Sequence, residues 1–161
     1  MRELIDMLKN MLILLIILWV AFAFFLGIKM APNDDMSPRI SAGDILVYYR
    51  IDKSPTAEDV IVLKKNGTDY VGRVVAAPGD TVDITKEDAL KVNGNMVVED
   101  NIFYKTPLCE GFVEYPLTQA EGEYFVLTDK REGGEDSRYY GPVSKSEIKG
   151  TVIGQFRRSG I

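Results

Sequence analysis

Hydrophobic residues follow two different patterns along this chain. Residues 10–28 carry no charged side chain and are almost entirely apolar, whereas the remainder alternates short apolar runs with polar and turn-forming residues. At about 1.5 Å per residue, a helix of this length nearly matches the ~30 Å hydrocarbon core of a bilayer. The pattern predicts a short tail at 1–9, a transmembrane anchor at 10–28 in contact with lipid, and an outer domain at 30–161.

The residues that flank the apolar run predict its orientation. Arg2 and Lys9 lie on the short side, and basic residues are retained on the cytoplasmic side of membranes. We expect a single-pass cell-membrane protein with a cytoplasmic N-terminus and an extracytoplasmic C-terminal domain. A cleaved signal peptide is the alternative, because Ala21-Phe22-Ala23 fits the small-x-small cleavage pattern. The apolar run continues past that point to Ile28, which favours a retained anchor.

The outer domain has the pattern of a mostly β, antiparallel fold, with short apolar runs between frequent turn residues. Asn66-Gly67 and Asn93-Gly94 fit two-residue hairpin turns, whose central positions need positive φ. A short helical turn is expected near Ser144–Lys149. The predicted strands are Ile45–Tyr49, Val60–Lys65, Tyr70–Ala76, Thr81–Ile84, Leu90–Val92, Met96–Val98, Tyr124–Thr128 and Thr151–Phe156.

Composition restricts the available chemistry. The 161 residues include no histidine, which excludes Ser-His and Cys-His catalysis and any His-ligated metal site. The single Cys109 cannot form an internal disulfide or a thiolate cluster, and we expect it to be a small buried hydrophobic residue. We expect no metal and no cofactor. The net charge of −5 argues against nucleic acid as a partner.

Three segments beyond the apolar run carry motifs. They are Asp35-Met36-Ser37-Pro38-Arg39-Ile40-Ser41-Ala42-Gly43-Asp44, Gly72-Arg73-Val74-Val75-Ala76-Ala77-Pro78-Gly79-Asp80, and the stretch from Thr128-Asp129-Lys130-Arg131 to Asp136-Ser137-Arg138-Tyr139-Tyr140-Gly141. In this order, behind an anchor, they resemble the motifs of the type I signal peptidase family, peptidase S26. The resemblance implies β-sheets that form a groove over the membrane surface. In active members it also implies a serine nucleophile and a lysine general base.

The resemblance places unexpected residues at the chemical positions. Asp35 stands at the nucleophile position, Gly72 at the base position, and Gly134 at the position of a serine that orients the lysine. We therefore predict a catalytically degenerate protein that is not an enzyme, with Asp35 as a plug opposite the space freed by Gly72. The candidates for the peptide groove are Asp35, Met36, Pro38, Gly72 and Arg73. The retained framework residues are Asp80, Asp129, Arg131, Asp136, Ser137 and Arg138.

A displaced lysine is one way in which the chemistry could be rescued. In a two-residue hairpin Lys65 shares a face with Gly72, but it lies four positions along the ladder, ~13 Å away at about 3.3 Å per residue. This separation exceeds the reach of a lysine. Lys64 faces Asp69 across the hairpin, and we expect those two side chains to form an ion pair.

Two other ways to restore catalysis would use residues near Asp35. In an extended segment the Ser37 side chain would point away from the side of Asp35, with no base nearby. An aspartic dyad needs two carboxylates about 3 Å apart. Asp34 would lie on the opposite face of the strand, and Asp136 resembles a framework residue that pairs with arginine.

The family resemblance also suggests a role. We expect a membrane-anchored chaperone or assembly factor for sortase-dependent pilus biogenesis in Gram-positive bacteria, which binds an extended peptide in the former substrate groove. Its partner would be a pilin precursor or the sortase. The alternatives are an active type I signal peptidase that cleaves secretory precursors, and a decoy regulator of such a peptidase.

Overall fold

The computed structural model describes residues 2–99, 102, 105–109 and 112–157, and it begins with one long helix. Helix α1 spans Arg2–Phe25, has no buried residue, and is long and apolar enough to cross a membrane. The helix ends three residues before the predicted end of the anchor at 28. Those residues instead begin strand β1 (Leu26–Met30), whose backbone pairs with the next strand.

The rest of the described chain forms two antiparallel sheets, as expected for a mostly β fold. The further strands are β2 (Ile45–Tyr49), β3 (Val60–Lys65), β4 (Thr68–Ala76), β5 (Thr81–Ile84), β6 (Leu90–Val92), β7 (Asn95–Met96), β8 (Leu117–Thr118), β9 (Glu123–Leu127), β10 (Val143–Ser144) and β11 (Ile148–Phe156). One sheet has the order β1-β2-β11-β3-β4-β9-β10, and the other has the order β7-β6-β5-β8.

Both predicted hairpin turns are confirmed. Asn66 and Gly67 have φ values of 50° and 86°, and Asn93 and Gly94 have φ values of 53° and 79°. These positive angles fit the type I′ turn, which joins strands without splaying them. The register of β3 against β4 follows from the first turn, with Lys65 opposite Thr68 and Ile61 opposite Gly72.

The short turn predicted near Ser144–Lys149 is present, with the Glu147 N–H donating to the Ser144 carbonyl at 2.9 Å, but it joins two strands and is not part of a helix. Within Ser144–Lys149 the chain ends β10, turns at residues 145–147 and begins β11. The short helix α2 lies instead at Ser137–Tyr140, and the Asp136 side chain caps it by accepting a hydrogen bond from the Arg138 N–H. Strands β1, β8 and β10 were not predicted, since two are only two residues long and β1 continues the apolar run.

Three buried apolar clusters stabilise the sheets. The first packs the segment after β1 against β2, and so positions the turn that carries Asp35. The second fills the region between β3, β4 and β9, and the third joins the two sheets. Their buried members are, in turn, Ala31, Met36, Ile40, Leu46, Tyr48, Val62 and Val71; Ile61, Leu63, Val74, Tyr124, Val126, Val143 and Ile148; and Val75, Ala76, Val82, Ile84, Leu90, Phe125 and Leu127.

Candidate functional site

Asp35 lies in a turn, not in the extended segment that we expected. The Ser37 N–H donates to the Asp34 carbonyl at 3.0 Å, and the Ile40 N–H donates to the Met36 carbonyl at 2.9 Å. Met36 is only 2% exposed and anchors this turn in the first cluster. The strand-alternation argument about the direction of Ser37 therefore does not apply.

The Asp35 carboxylate is half-buried and is held by its neighbour Asn33. The Asn33 Nδ2 donates to Asp35 Oδ2 at 2.6 Å, and the Asp35 N–H donates back to Asn33 Oδ1 at 3.2 Å. Burial raises the pKa of Asp35 above its ordinary value, against the lowering effects of the Asn33 hydrogen bond and the Lys130 charge. The carboxylates of Asp136 and Glu135 raise this pKa further. The site therefore favours the protonated form of this carboxyl group more than water does.

Lys130 is a site residue that the sequence analysis missed. Its N–H donates to the Asp35 carbonyl at 2.8 Å, which joins the turn to the segment after β9. Its side chain is exposed, and its ammonium charge acts on the Asp35 carboxylate. Lys130 follows Asp129 within the third motif, but no local pattern in the sequence connects it with Asp35, which lies 95 positions earlier.

The Gly72 position is filled by neighbouring groups. A Cβ built on Gly72 would lie 2.5 Å from Val126 Cγ1 and 3.3 Å from the Leu127 carbonyl oxygen. Gly72 is buried in β4, which pairs with β9 at this point. The hypothesis that Gly72 frees space opposite Asp35 is therefore wrong, because Val126 occupies the volume that a side chain would need.

The space beside Gly134 is also filled by neighbouring groups. A Cβ on Gly134 would collide with the hydroxyl of Thr128 and would come within 2.8 Å of the Lys130 carbonyl oxygen. That hydroxyl lies 3.1 Å from Lys130 O and 3.0 Å from Asp136 Oδ2, and its single proton is shared between these two acceptors. A threonine from β9's end thus supplies a hydroxyl where the family resemblance expects a serine.

The framework residues are joined by buried ion pairs. Arg73 binds Asp129 through two hydrogen bonds of 2.8 and 2.6 Å. Arg138 binds Asp136 through two of 2.9 and 2.8 Å, so the expected pairing of Asp136 with an arginine is present. The remaining framework contacts are Arg131 with Glu99 at 2.6 Å, the Ser137 hydroxyl with the Val126 N–H at 3.0 Å, and Asp80 with the Ala77 N–H at 2.9 Å.

The structure places only part of the predicted peptide groove at the surface. Asp35 and Pro38 are accessible, whereas Met36, Gly72 and Arg73 are buried. Met36 belongs to the core because its side chain packs under β2, and the Arg73 guanidinium is held by Asp129 and the Glu58 carbonyl. An open cavity of about 490 Å³ is lined by Asn66, Phe112, Gly133, Gly134, Glu135, Tyr139 and Tyr140, and the charge of Glu135 raises the pKa of Asp35.

The two lysines considered as displaced bases are placed away from Asp35. Lys65 Nζ donates to the Pro142 carbonyl at 2.7 Å and to Glu147 at 3.0 Å. Lys64 does stand opposite Asp69 in the ladder. The expected Lys64–Asp69 ion pair is nevertheless wrong, because the Asp69 carboxylate binds the ammonium groups of two other lysines at 2.7 and 2.6 Å, Lys29 and Lys149.

The carboxylates near Asp35 do not form an aspartic dyad with it. The Asp34 carboxylate accepts the Ala42 N–H at 2.8 Å, and the Asp136 carboxylate is bound by Arg138. In the described part of the chain, no cluster of three acidic or cysteine side chains could hold a metal ion. Cys109 is half-buried, with Sγ 3.9 Å from the Pro107 carbonyl oxygen, so it is less enclosed than we expected.

Comparison with known proteins connects this arrangement to one family. The sequence profile of "Signal peptidase, peptidase S26" matches residues 4–156. The chain is 27% identical to signal peptidase IB of Staphylococcus aureus, over 96% of this chain and 90% of the relative. It is 34% identical to signal peptidase I of Bacillus caldolyticus, over 73% and 71%. The crystal structure of a signal peptidase I from Enterococcus faecalis superposes with a TM-score of 0.50 at 31% identity, covering 60% of this chain and 95% of that one.

These relatives correct one expectation. The residues at the nucleophile and base positions led us to predict a protein that is not an enzyme. The relatives that match carry the name of an enzyme, signal peptidase, and the match to signal peptidase IB spans nearly the whole chain. The prediction of a protein without enzymatic activity is therefore wrong by this comparison. Since the family profile covers all three motifs and most of the chain, the protein belongs to the signal peptidase family, peptidase S26.

Proposed function

We propose that the chain is a membrane-anchored endopeptidase that cleaves secretory precursor proteins. The observation that carries this proposal is the match over 96% of the chain to a relative named signal peptidase. The apolar helix α1 would hold the domain at the membrane, where membrane-tethered precursors are presented. The cavity lined by Gly134, Glu135 and Tyr139 would receive an extended segment of the precursor.

Asp35 is the group that we assign to the chemistry. Burial raises the pKa of its carboxyl group, and a carboxylate with a raised pKa is a more effective general base near neutral pH. In the proposed step Asp35 takes a proton from a water molecule, and the resulting hydroxide attacks the scissile carbonyl carbon. The C–N bond then breaks, and the leaving amine takes the proton back from Asp35. Asn33 would hold the carboxylate in place through its 2.6 Å hydrogen bond.

The test is cleavage of a fluorescent secretory precursor by the full chain in lipid vesicles. We expect a single cleaved product, and we expect Asp35→Asn to lower kcat/KM by about 10²–10⁴-fold, which is the usual contribution of a general base. Asp34→Asn is the matched control, because it makes the same chemical change at the neighbouring exposed carboxylate.

Two outcomes would contradict this proposal in different ways. Full activity in Asp35→Asn would overturn the role of Asp35 but leave the peptidase function intact. No product from the wild-type chain, with a precursor that a signal peptidase cleaves under the same conditions, would overturn the function itself.

A second candidate function is the capture of a pilin precursor or a sortase by the same surface. The observation that favours it is the pair Asp35 and Gly72, which stand where the family resemblance expects a serine and a lysine. Photocrosslinking from a probe at the exposed Pro38, in membranes that contain a pilin precursor, a sortase and a signal peptidase, would identify the partner. A crosslink to the signal peptidase alone would instead support a regulatory role.

A further inference from the structure

One end of the seven-stranded sheet lies directly beside the membrane helix. Strand β1 begins at Leu26, the residue after α1, and Leu26 pairs with Tyr49 at the end of β2. The next residue, Arg50, donates from its N–H to the Phe25 carbonyl at 2.9 Å and from its Nε to the Leu26 carbonyl at 3.0 Å. The end of β2 is thereby fixed to the last turn of the helix.

The sheet register brings further segments to the same end. Tyr49 pairs with Thr151 near the start of β11, and Ile148 at the start of β11 pairs with Leu63 near the end of β3. The β3–β4 hairpin turn therefore lies at this end as well. We define the basic edge as the cationic residues of this end, which are Arg50, Lys53, Lys64, Lys65 and Lys149, together with Lys29, whose ammonium group binds Asp69 beside Lys149.

Four of these cations surround one open cavity. Its volume is about 780 Å³, and its lining residues include Arg50, Lys53, Lys64 and Lys149 together with the carboxylate residue Glu147. Tyr48 forms part of the wall, and the Arg50 guanidinium lies 5.6 Å from the centre of the Tyr48 ring. The cavity thus presents positive groups on a partly aromatic wall.

The nearby carboxylates neutralise only part of this charge. Asp69 binds Lys29 and Lys149, and Glu147 binds Lys65. Asp52, which follows β2 closely, uses its carboxylate to accept the Ser54 N–H at 2.9 Å.

The side chains of Lys53 and Lys64 form no hydrogen bond and no ion pair with any other residue of the described chain, and the Lys64 side chain is exposed. Arg50 donates its Nε to a backbone carbonyl and not to a carboxylate. This surplus positive charge lies in an outer portion that is acidic overall, because residues 30–161, which include five of the six residues of the basic edge, hold 16 Lys+Arg and 22 Asp+Glu, a net of −6. A concentration of cations on one end of an acidic domain indicates an anionic ligand.

We propose that the basic edge binds the phosphate groups of anionic phospholipids. Its position determines the ligand class, since the edge is fixed to the end of a helix that is apolar and long enough to span a bilayer. Headgroup phosphates lie at the ends of such a helix, and basic residues near a membrane surface are attracted to anionic lipid. The proposal concerns the lipid contact alone and does not depend on the peptidase function.

The test measures lipid binding by the full chain in a neutral detergent, using native mass spectrometry. Phosphatidylglycerol is titrated in parallel with phosphatidylcholine, which carries no net charge. We expect phosphatidylglycerol to bind at least tenfold more tightly. We also expect the double variant Lys53→Gln/Lys64→Gln to weaken phosphatidylglycerol binding by about 10- to 30-fold, from the contribution of two basic residues near a lipid surface.

The matched control is the double variant Lys86→Gln/Lys91→Gln. It removes the same charge from the region of β6, which belongs to the other sheet. Phosphatidylglycerol binding should be unchanged in the control. Equal binding of the two lipids, or an equal loss in both double variants, would overturn the proposal. Full displacement of phosphatidylglycerol by millimolar inorganic phosphate would assign the edge to a soluble anion and would also overturn it.

Discussion

The guanidinium group of Arg73 binds the carboxylate of Asp129 through two hydrogen bonds, at 2.8 and 2.6 Å. Arg73 belongs to β4, and Asp129 lies two residues beyond the end of β9. The next residue, Lys130, holds the Asp35 turn through its N–H. This buried pair therefore connects the strand of Gly72 to the turn of Asp35.

We predict that Asp129→Asn destabilises the domain by about 3–5 kcal/mol, because it leaves the buried Arg73 charge without its partner. The free energy of unfolding is measured by denaturant titration of the detergent-solubilised chain, followed by circular dichroism. Lys29→Gln is the control, since it breaks a half-buried pair on Asp69 that Lys149 can still satisfy, and it should cost less than about 1 kcal/mol. Equal losses of unfolding free energy in the two variants would show that burial of the ion pair does not determine its contribution to stability.

The raised pKa of Asp35 predicts a stability that falls as pH rises. Folding favours the protonated form of Asp35, so the stabilisation from this group is complete below the ordinary pKa of 3.8. It is lost as pH rises through the raised pKa. The side chain introduced by Asp35→Asn cannot lose a proton. The unfolding free energy of this variant should therefore rise relative to that of the wild type as pH increases from 3 to 7. Parallel pH profiles of the two proteins would refute the raised pKa, and Asp34→Asn controls for loss of an acid in the same segment.

The lowered pKa of Asp69 predicts the opposite dependence of stability on pH. Hydrogen bonds from Lys149 and Lys29 lower its pKa to about 2. Asp69 therefore stabilises the fold above its ordinary pKa of 3.8, and this contribution is lost as pH falls from about 4 to about 2. Asp69→Asn should remove that acid-dependent loss. The effect should weaken at 1 M salt, because the three side chains are partly exposed to solvent. An unchanged acid profile in Asp69→Asn would contradict the prediction.

Gly72→Ala should destabilise the fold by about 1–3 kcal/mol, because its Cβ would lie 2.5 Å from Val126 Cγ1. Adding Val126→Ala to Gly72→Ala should relieve this clash and so reduce the destabilisation that Gly72→Ala causes. A double-mutant cycle of unfolding free energies measures this coupling. Gly154→Ala is the matched control in β11, since the nearest atom to its Cβ would be Val47 Cβ at 3.9 Å. A coupling energy of zero would show that Val126 does not occupy the space beside Gly72.

Local patterns in the sequence were sufficient to predict most of the strands. β2, β3, β5 and β6 have the predicted bounds, because alternation and turn residues are local properties of the chain. The β3–β4 register followed from Asn66-Gly67 for the same reason. The extended geometry expected around Asp35 was wrong, because packing of Met36 in the core selects a turn there.

The contacts that define the site depend on residues far apart in sequence. Lys130 reaches Asp35 across 95 positions, and Lys29 and Lys149 meet at Asp69 from 40 and 80 positions away. Val126 fills the space beside Gly72 only because β4 pairs with β9 in one particular register. A single sequence contains no local signal for such pairings, so the partner of each of these groups had to come from the fold.

The direct passage from helix α1 into strand β1 limits how far the domain can reach. A flexible linker would let the distance between the domain and the end of the helix vary widely. Here no such linker is present between α1 and β1, because Leu26 is already paired in the sheet. Asp35 follows Phe25 by ten positions, so it can lie at most about 35 Å from the end of the helix even if the chain between them were fully extended. The short tether therefore sets an upper limit on the distance between Asp35 and the end of the apolar helix, and under the proposed peptidase function this limit would select cleavage sites close to the membrane surface.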